Sequence, residues 1–252
     1  MLQICYDYCN ISNKERIFSL MKKIIFLLTL LLFTTISVRA DEVIIINVTQ
    51  DNLWNKLGPR DEKVYTVGAK ILNANKIQKR IVFNVNGFNT VNASASFQSK
   101  TVSINKGTLN YVDNDDELAA ILSHEIAHTI DYYGGLGKAI VMAFNSKSYE
   151  NKADLKGVDY MVNAGYNPVA MITVLNKISG ESIWDWGILW SHPKTSHRLM
   201  DVYEYIYKKY PKYLSSDFTK NVNYVNWTYT AEKDINKFKQ KEKNKAEKRG
   251  SL

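Results

Sequence analysis

Three residues whose types and spacing suit metal chemistry, His124, Glu125 and His128, lie within the five-residue segment HEIAH. Histidines four positions apart on a helix project from the same face, so both imidazoles reach a single metal ion. Glu125 is offset by one residue, which predicts a general base that holds a water molecule beside the metal. The whole chain has only four histidines, so chance seldom produces this spacing. The segment therefore predicts a zinc site that activates water.

A catalytic zinc needs a third protein ligand and one open coordination position. The metzincin pattern is excluded, because Asp131 stands where it requires glycine and Gly134 where it requires histidine. Glu150 and Asp154 instead offer carboxylates four residues apart on one face of a later helix. We predict that Glu150 binds the metal and that Asp154 accepts the free ring N–H of a ligating histidine. The alternative for Glu150 is an ordinary charge on a helix surface.

Capping and hydrophobic spacing predict the elements that must position these groups. Asn114 and Glu117 match a capping box at the start of the helix that carries HEIAH, and Gly134-Gly135 ends it. Three short alternating runs predict a small β-sheet, and an edge strand at Asn92 and Ala93 would pair with an extended substrate. The fold class is α+β, mainly helical. Further helices are predicted at 61–80, 148–163, 167–180 and 194–209, and strands at 81–85, 91–97 and 101–104.

These segments resemble the zinc metalloendopeptidases of the HtpX and CAAX-prenyl-protease type, peptidase family M48, particularly their soluble periplasmic, BepA-like members. The resemblance implies a zincin-like (gluzincin) fold and endopeptidase activity on unfolded or misassembled polypeptides. It also implies His124, His128 and Glu150 as zinc ligands and Glu125 as the acid/base. Neither the transmembrane helices nor the tetratricopeptide repeats of other members are found here, so their physiological partners do not carry over. The matching segments, in order from Val91 to Arg198, are VNA, DDELAAILSHEIAHTI, YENKADLKGVDYMVNAGYNP and SHPKTSHR.

The second histidine cluster lies in SHPKTSHR, and we group His192 and Arg198 with Glu125 as catalytic candidates. Three roles for His192 stay open: stabilising the oxyanion, capping the zinc as a fourth ligand, or bracing the loop together with Arg198. A permanent cap would make the chain a non-proteolytic, zinc-stabilised chaperone or partner-binding module. His197 is expected to be exposed. Three nearby tryptophans are expected to pack, or else to line a substrate cleft or face a membrane: Trp184, Trp186 and Trp190.

The N-terminal sequence predicts export. Lys22 and Lys23 precede an apolar stretch, Ile24 to Val38, and Val38-Arg39-Ala40 resembles a signal-peptidase site. The alternative is an uncleaved membrane anchor. The two cysteines of the chain lie upstream of Met21, so the predicted mature protein has neither disulfides nor thiolate ligands. We expect a periplasmic protein, or a secreted one if the host lacks an outer membrane.

Composition divides the chain into five parts: an upstream segment that we interpret as an artefact (1–20), a signal peptide (21–40), a lead-in (41–60), the catalytic domain (61–212) and a polar, basic extension (213–252). The net charge is +8, and residues 232–249 alone carry eight Lys/Arg against four Asp/Glu. Because this charge is concentrated in a tail, nucleic-acid binding is not expected. The tail is expected to be a solvated helix or disordered, with contact to anionic lipid as the alternative. The oligomeric state is left open.

Overall fold

The computed structural model describes residues 59–180 and 196–250. The predicted signal peptide, His192 and the three tryptophans near it lie outside these ranges. Among the described residues, no helix combines the length and apolar character needed to cross a bilayer. The elements are α1 (Pro59–Ala74), β1 (Val82–Asn86), β2 (Ala93–Ala95), β3 (Thr101–Asn105), α2 (Lys106–Tyr111), α3 (Asp115–Tyr132), α4 (Gly135–Phe144), α5 (Ser146–Asn163), α6 (Val169–Gly180), α7 (Ser196–Lys209), α8 (Val222–Thr230) and α9 (Glu232–Gly250), with short 3₁₀ turns at Pro211–Ser215 and Asp217–Lys220.

The three strands form one sheet with β3 in the centre. β3 runs parallel to β1 and antiparallel to β2, with Ala93 opposite Ile104. Asn86-Gly87, a dipeptide typical of turns between paired strands, therefore does not join two strands that pair with each other. The chain crosses over instead, and Phe88 O accepts a hydrogen bond from Gly107 N at 3.0 Å. This crossover leaves β2 at the edge of the sheet, where it packs beside α3.

Helix α3 is the central element, and its first turn confirms the predicted N-terminal cap. Asn114 Oδ1 accepts a hydrogen bond from Glu117 N at 2.9 Å. The Glu117 carboxylate accepts from Asp113 N at 2.9 Å and pairs with Lys177 Nζ at 2.9 Å, which ties α3 to α6. Residues 117–129 are buried without interruption. The helix that carries the HEIAH segment is thus fixed at its start and enclosed along most of its length.

Helix α5 packs closely against α3 because Gly157 has no side chain. A Cβ atom there would lie 2.8 Å from Met171 Cε and 3.4 Å from His124 N. The first distance is shorter than an ordinary contact, so Met171 would have to shift, whereas the second is at the lower limit of ordinary contacts. The absence of this atom lets α5 bring the carboxylates of Glu150 and Asp154 to the buried face of α3.

The C-terminal helices share the core of the rest of the chain. The ring centroids of Tyr203 and Trp227 are 5.5 Å apart, and those of Tyr207 and Phe238 are 5.2 Å apart, which joins α8 and α9 to α7. Ile235 and Phe238 are buried. Beyond Phe238 nearly all side chains of α9 are exposed. Of the two expectations for the tail, the structure has the helix, and the first half of this helix packs on the core through Ile235 and Phe238.

Candidate metal centre and active site

The structure brings the three predicted metal ligands together. The Nε2 atoms of His124 and His128 lie 3.1 Å apart. The two carboxylate oxygens of Glu150 lie 3.3 Å from His124 Nε2 and 3.1 Å from His128 Nε2. All three residues are buried, and their candidate ligand atoms lie within 4.8 Å of one another. Two successive turns of α3 therefore supply two ring nitrogens, and the second turn of α5 supplies a carboxylate close to both.

Asp154 fixes the orientation of one imidazole. Its Oδ1 lies 2.8 Å from His124 Nδ1, so the ring donates its Nδ1–H to the carboxylate and keeps the Nε2 lone pair for the shared centre. Burial lowers the pKa of His124, but the hydrogen bonds to Asp154 and Glu150 more than offset this and raise it. Lone pairs of two imidazoles and a carboxylate repel one another at these distances unless a proton or a metal ion lies among them. The donor set of two nitrogens and one oxygen suits zinc.

Arg198, on α7, holds both carboxylates of α5. Its Nε and Nη2 donate to Asp154 at 2.6 and 2.7 Å, and its Nη1 lies 3.2 Å from Glu150 Oε2. Burial raises the pKa of Asp154, but the hydrogen bonds from Arg198 more than offset this and lower it. We predicted Arg198 as a catalytic candidate or a brace for the preceding loop. Its contacts with Asp154 and Glu150 make it a positioning residue, because they act on the metal site through these two carboxylates.

Of the two histidines in the second cluster, the structure describes His197. His197 is exposed, as expected from the sequence. His192 lies outside the described residues, so its three possible roles stay predictions.

Glu125 lies between two cavities of different character. It is buried, and it lines a cavity of about 190 Å³ together with Ser94, His128 and Tyr132. On its other side a larger cavity of about 400 Å³ is lined by Ala93, His124 and mainly apolar side chains from α3, α6, α7 and α8. Glu125 therefore shares this cleft with the candidate metal ligands but is not one of the three residues that converge on the metal site.

The edge strand is anchored so that it faces this space. Asn92 N donates to Thr108 Oγ1 at 2.7 Å, and Asn92 O accepts from Asn105 N at 2.9 Å. The backbone of Asn92 is therefore used to hold the strand against α2. Ala93 and Ser94 line the two cavities. Of the two predicted strand residues, Ala93 lies at the cleft and Asn92 positions it.

Tyr132 lies at the cleft but was not predicted from the sequence. It lines the smaller cavity with Glu125, His128 and Glu150. Burial, and then the nearby charges of Glu125 and Glu150, raise the pKa of Tyr132, so its hydroxyl remains a hydrogen-bond donor at neutral pH. The signal was present in the sequence, because residues 124, 128 and 132 follow the four-residue spacing of one helix face.

A buried His-His-Glu group on two packed helices, with a second glutamate beside it and an edge strand at the cleft, defines a metallopeptidase. The chain belongs to peptidase family M48, whose family model matches residues 59–132 and 129–206, more than half of the chain. This finding confirms the resemblance noted from the sequence. It also indicates an enzyme of the kind that usually binds a metal, and the buried His124, His128 and Glu150 could hold one.

One curated relative has a named activity. The chain is similar to the beta-barrel assembly-enhancing protease of Yersinia pestis, with 24% identity over 182 aligned positions. The alignment covers 55% of this chain and 37% of that protein. The chain therefore spans little more than a third of the length of this relative.

Proposed function

We propose that this chain is an exported zinc metalloendopeptidase that hydrolyses peptide bonds in unfolded or misassembled polypeptides. The proposal includes a periplasmic location, or a secreted one in a host without an outer membrane. The observation that carries it is the convergence of His124, His128 and Glu150 beside Glu125 in a cleft. Membership of family M48 supports the peptidase activity. The name of the Yersinia pestis relative, which refers to β-barrel assembly, supports misassembled polypeptides as substrates.

The proposed reaction divides the chemistry between the metal and the residues of the chain. A zinc ion held by the three ligands would supply Lewis acidity, polarising the scissile carbonyl and acidifying a water molecule. Glu125 takes a proton from the attacking water and passes it to the leaving amine. Asp154 holds His124 in the tautomer that directs Nε2 at the centre. Arg198 keeps Asp154 charged while this happens.

The substrate would bind in an extended conformation along β2. An edge strand offers main-chain hydrogen bonds that do not depend on the sequence of the peptide, which suits unfolded polypeptides of many kinds. Ser94 and Ala95 line the cavity beside Glu125, so a peptide paired with this strand passes the catalytic carboxylate. We propose Tyr132, which lines the same cavity, as a donor for the oxyanion that develops during attack.

Glu125→Gln tests the proposal, because it removes the base and keeps the shape of the side chain. We expect cleavage of unfolded casein to fall by about 10²–10⁴-fold, the usual contribution of a general acid/base. Bound zinc, measured by metal analysis, should stay near one equivalent. The matched control is Glu62→Gln, an exposed position on α1, which should change neither quantity. Chelation should abolish the wild-type activity, and added zinc should restore it.

Wild-type protein that binds zinc but shows no chelator-sensitive cleavage would contradict the peptidase. If His192→Ala then failed to uncover activity, the zinc-stabilised binding module would be the better description. If His192→Ala did uncover activity, the capping role of His192 would be established and the peptidase retained.

A further inference from the structure

Helix α4 exposes an apolar face that neither the metal centre nor the substrate strand explains. Four of its large apolar side chains are strongly exposed: Leu136 (46%), Ile140 (48%), Val141 (48%) and Phe144 (85%). At 100° per residue these positions fall within an arc of about 140°, so they form one face. They are half of the eight large apolar side chains that are exposed in the described part of the chain. Isolated exposed apolar residues are normal, whereas a continuous group marks an interaction surface.

We propose that this face of α4 binds the surface of an anionic lipid bilayer. The helix has ten residues and is therefore about 15 Å long, half the thickness of a bilayer core. A helix of this length that exposes apolar side chains on one side and packs on the protein with the other can lie in the plane of the interface, with the exposed side chains among the lipid chains. The opposite side of α4 faces the protein, where Met142 is buried.

The charges around α4 favour an anionic partner. From Tyr132 to Tyr149 the sequence has no acidic residue and two lysines, Lys138 and Lys147. Lys147 is exposed at the start of α5, close to the exposed end of α4. Lys138 pairs with Asp131 at 2.8 Å, so Lys147 is the clearer candidate for contact with lipid phosphates. Basic residues next to an apolar helix face are the combination that anionic membrane surfaces attract.

Lipid fits this face better than a polypeptide or a second copy of the chain. An unfolded polypeptide gains most from main-chain hydrogen bonds, which a strand edge such as β2 offers. The backbone of α4 is bonded within the helix, so this face offers only side-chain contacts. A second copy would bring like-charged lysines together at the rim of the contact. A bilayer satisfies both the apolar face and the lysine.

Binding at α4 would also place the cleft at the membrane. Ala139 and Met142 of α4 line the cavity that holds Glu125 and His128. If α4 lies in the interface, polypeptides at the membrane surface meet the cleft directly. Lipid binding by this face of α4 does not depend on the proposed catalytic activity.

Site-specific fluorescence tests this in the full chain. Cys5 and Cys9 are replaced by serine, which leaves no other cysteine. A polarity-sensitive bimane label is then placed through Phe144→Cys or, as the matched control on α8, through Val225→Cys, which replaces a side chain that is 47% exposed. The label reports immersion at its own position, so lipid binding by the apolar N-terminal sequence does not mimic the result. We expect a blue shift and quenching by doxyl lipids at residue 144, several-fold greater than at residue 225.

The composition of the vesicles and a charge variant complete the test. The response at residue 144 should require phosphatidylglycerol in phosphatidylcholine vesicles, and Lys147→Ala should weaken the binding it reports by about fivefold. Equal responses at residues 144 and 225, or none at residue 144, would overturn the proposal. A response without lipid that grows with protein concentration would assign the face to a second copy. A response only with unfolded casein would assign it to polypeptides. Either result also overturns lipid binding.

Discussion

Replacing Asp154 with asparagine separates two roles that its carboxylate combines. The side chain is fully buried, orients His124 at 2.8 Å and neutralises Arg198 through contacts of 2.6 and 2.7 Å. Asparagine keeps the size of the side chain but has one acceptor oxygen and an amide that donates. It therefore leaves at least one donor of His124 or Arg198 without an acceptor, and it removes the negative charge.

The two roles of Asp154 affect two different quantities, the stability of the protein and its affinity for zinc. Removing one partner of a buried ion pair costs about 3–5 kcal/mol, because the remaining charge is uncompensated. Here Arg198 would lose its two hydrogen bonds to Asp154 and keep its contact with Glu150, at 3.2 Å. Losing the partner of a ligating histidine costs about 10–100-fold in metal affinity. We therefore expect Asp154→Asn to lower the free energy of unfolding of the zinc-free protein by about 3–5 kcal/mol and to raise the zinc dissociation constant by about 10–100-fold.

A double variant distinguishes the roles. Asp154→Asn combined with Arg198→Met removes both partners of the ion pair and fills the space of the guanidinium group, so the loss of stability should be smaller than the sum of the losses in the two single variants. Zinc affinity should stay low, because His124 still lacks its carboxylate. Urea unfolding in the presence of a chelator measures the first quantity, and competition with a chromophoric chelator measures the second. Unchanged zinc affinity in Asp154→Asn, or recovery of affinity in the double variant, would refute the role assigned to the Asp154–His124 contact.

Three further predictions concern other contacts. Glu150→Ala should reduce bound zinc well below one equivalent in metal analysis, whereas a Glu150 with no ligand role would leave it unchanged. Phe238→Ala should lower the free energy of unfolding in urea by about 3–5 kcal/mol, because Phe238 is buried. Phe144→Ala should change this free energy little, because Phe144 is 85% exposed. Equal losses in the two variants would contradict the packing of α9 on the core. Burial lowers the pKa of Lys177, but its hydrogen bonds to carboxylates more than offset this and raise it. Lys177→Met should therefore lower the free energy of unfolding at neutral pH. This loss should shrink as the pH rises above about 10.4, the pKa of an unfolded lysine, and then passes the raised pKa of Lys177 in the folded protein. A loss that does not depend on pH would refute the pairing with Glu117.

Residues of the candidate centre could be predicted where they lie within one helical turn of each other in the sequence. The four-residue spacings of His124 with His128 and of Glu150 with Asp154 define shared helix faces without any knowledge of the fold. The capping pattern at Asn114 placed the start of α3 correctly. The contacts of Arg198 were not predictable in the same way, because its partner Asp154 lies 44 residues away and on a different helix. That pairing depends on how α5 and α7 pack.

The fold was harder to predict where packing overrides local preference. Helix α4 was not predicted, because the run GGLGKAIVMAF combines glycines with apolar residues on most sides and has no clear polar face. Glycine inside a helix costs about 1 kcal/mol relative to alanine. Burial of Met142 against the neighbouring helices favours the helix nonetheless. Likewise, Asn86-Gly87 is a dipeptide typical of turns, but it says nothing about the parallel pairing of β1 with β3, which spans a crossover.

The balance of buried charge gives an independent reason for a divalent cation at this site. Glu125, Glu150 and Asp154 are all nearly inaccessible to solvent, and the one buried cation among them is Arg198 in the described part of the chain. With all four groups ionised, the cluster carries a net charge of −2. Burying uncompensated charge is strongly unfavourable, and without a metal part of it is offset by His124, whose pKa the hydrogen bonds to Asp154 and Glu150 raise despite its burial. A divalent ion bound between the imidazoles and Glu150 neutralises the cluster, so metal binding and the stability of this part of the core are expected to be coupled.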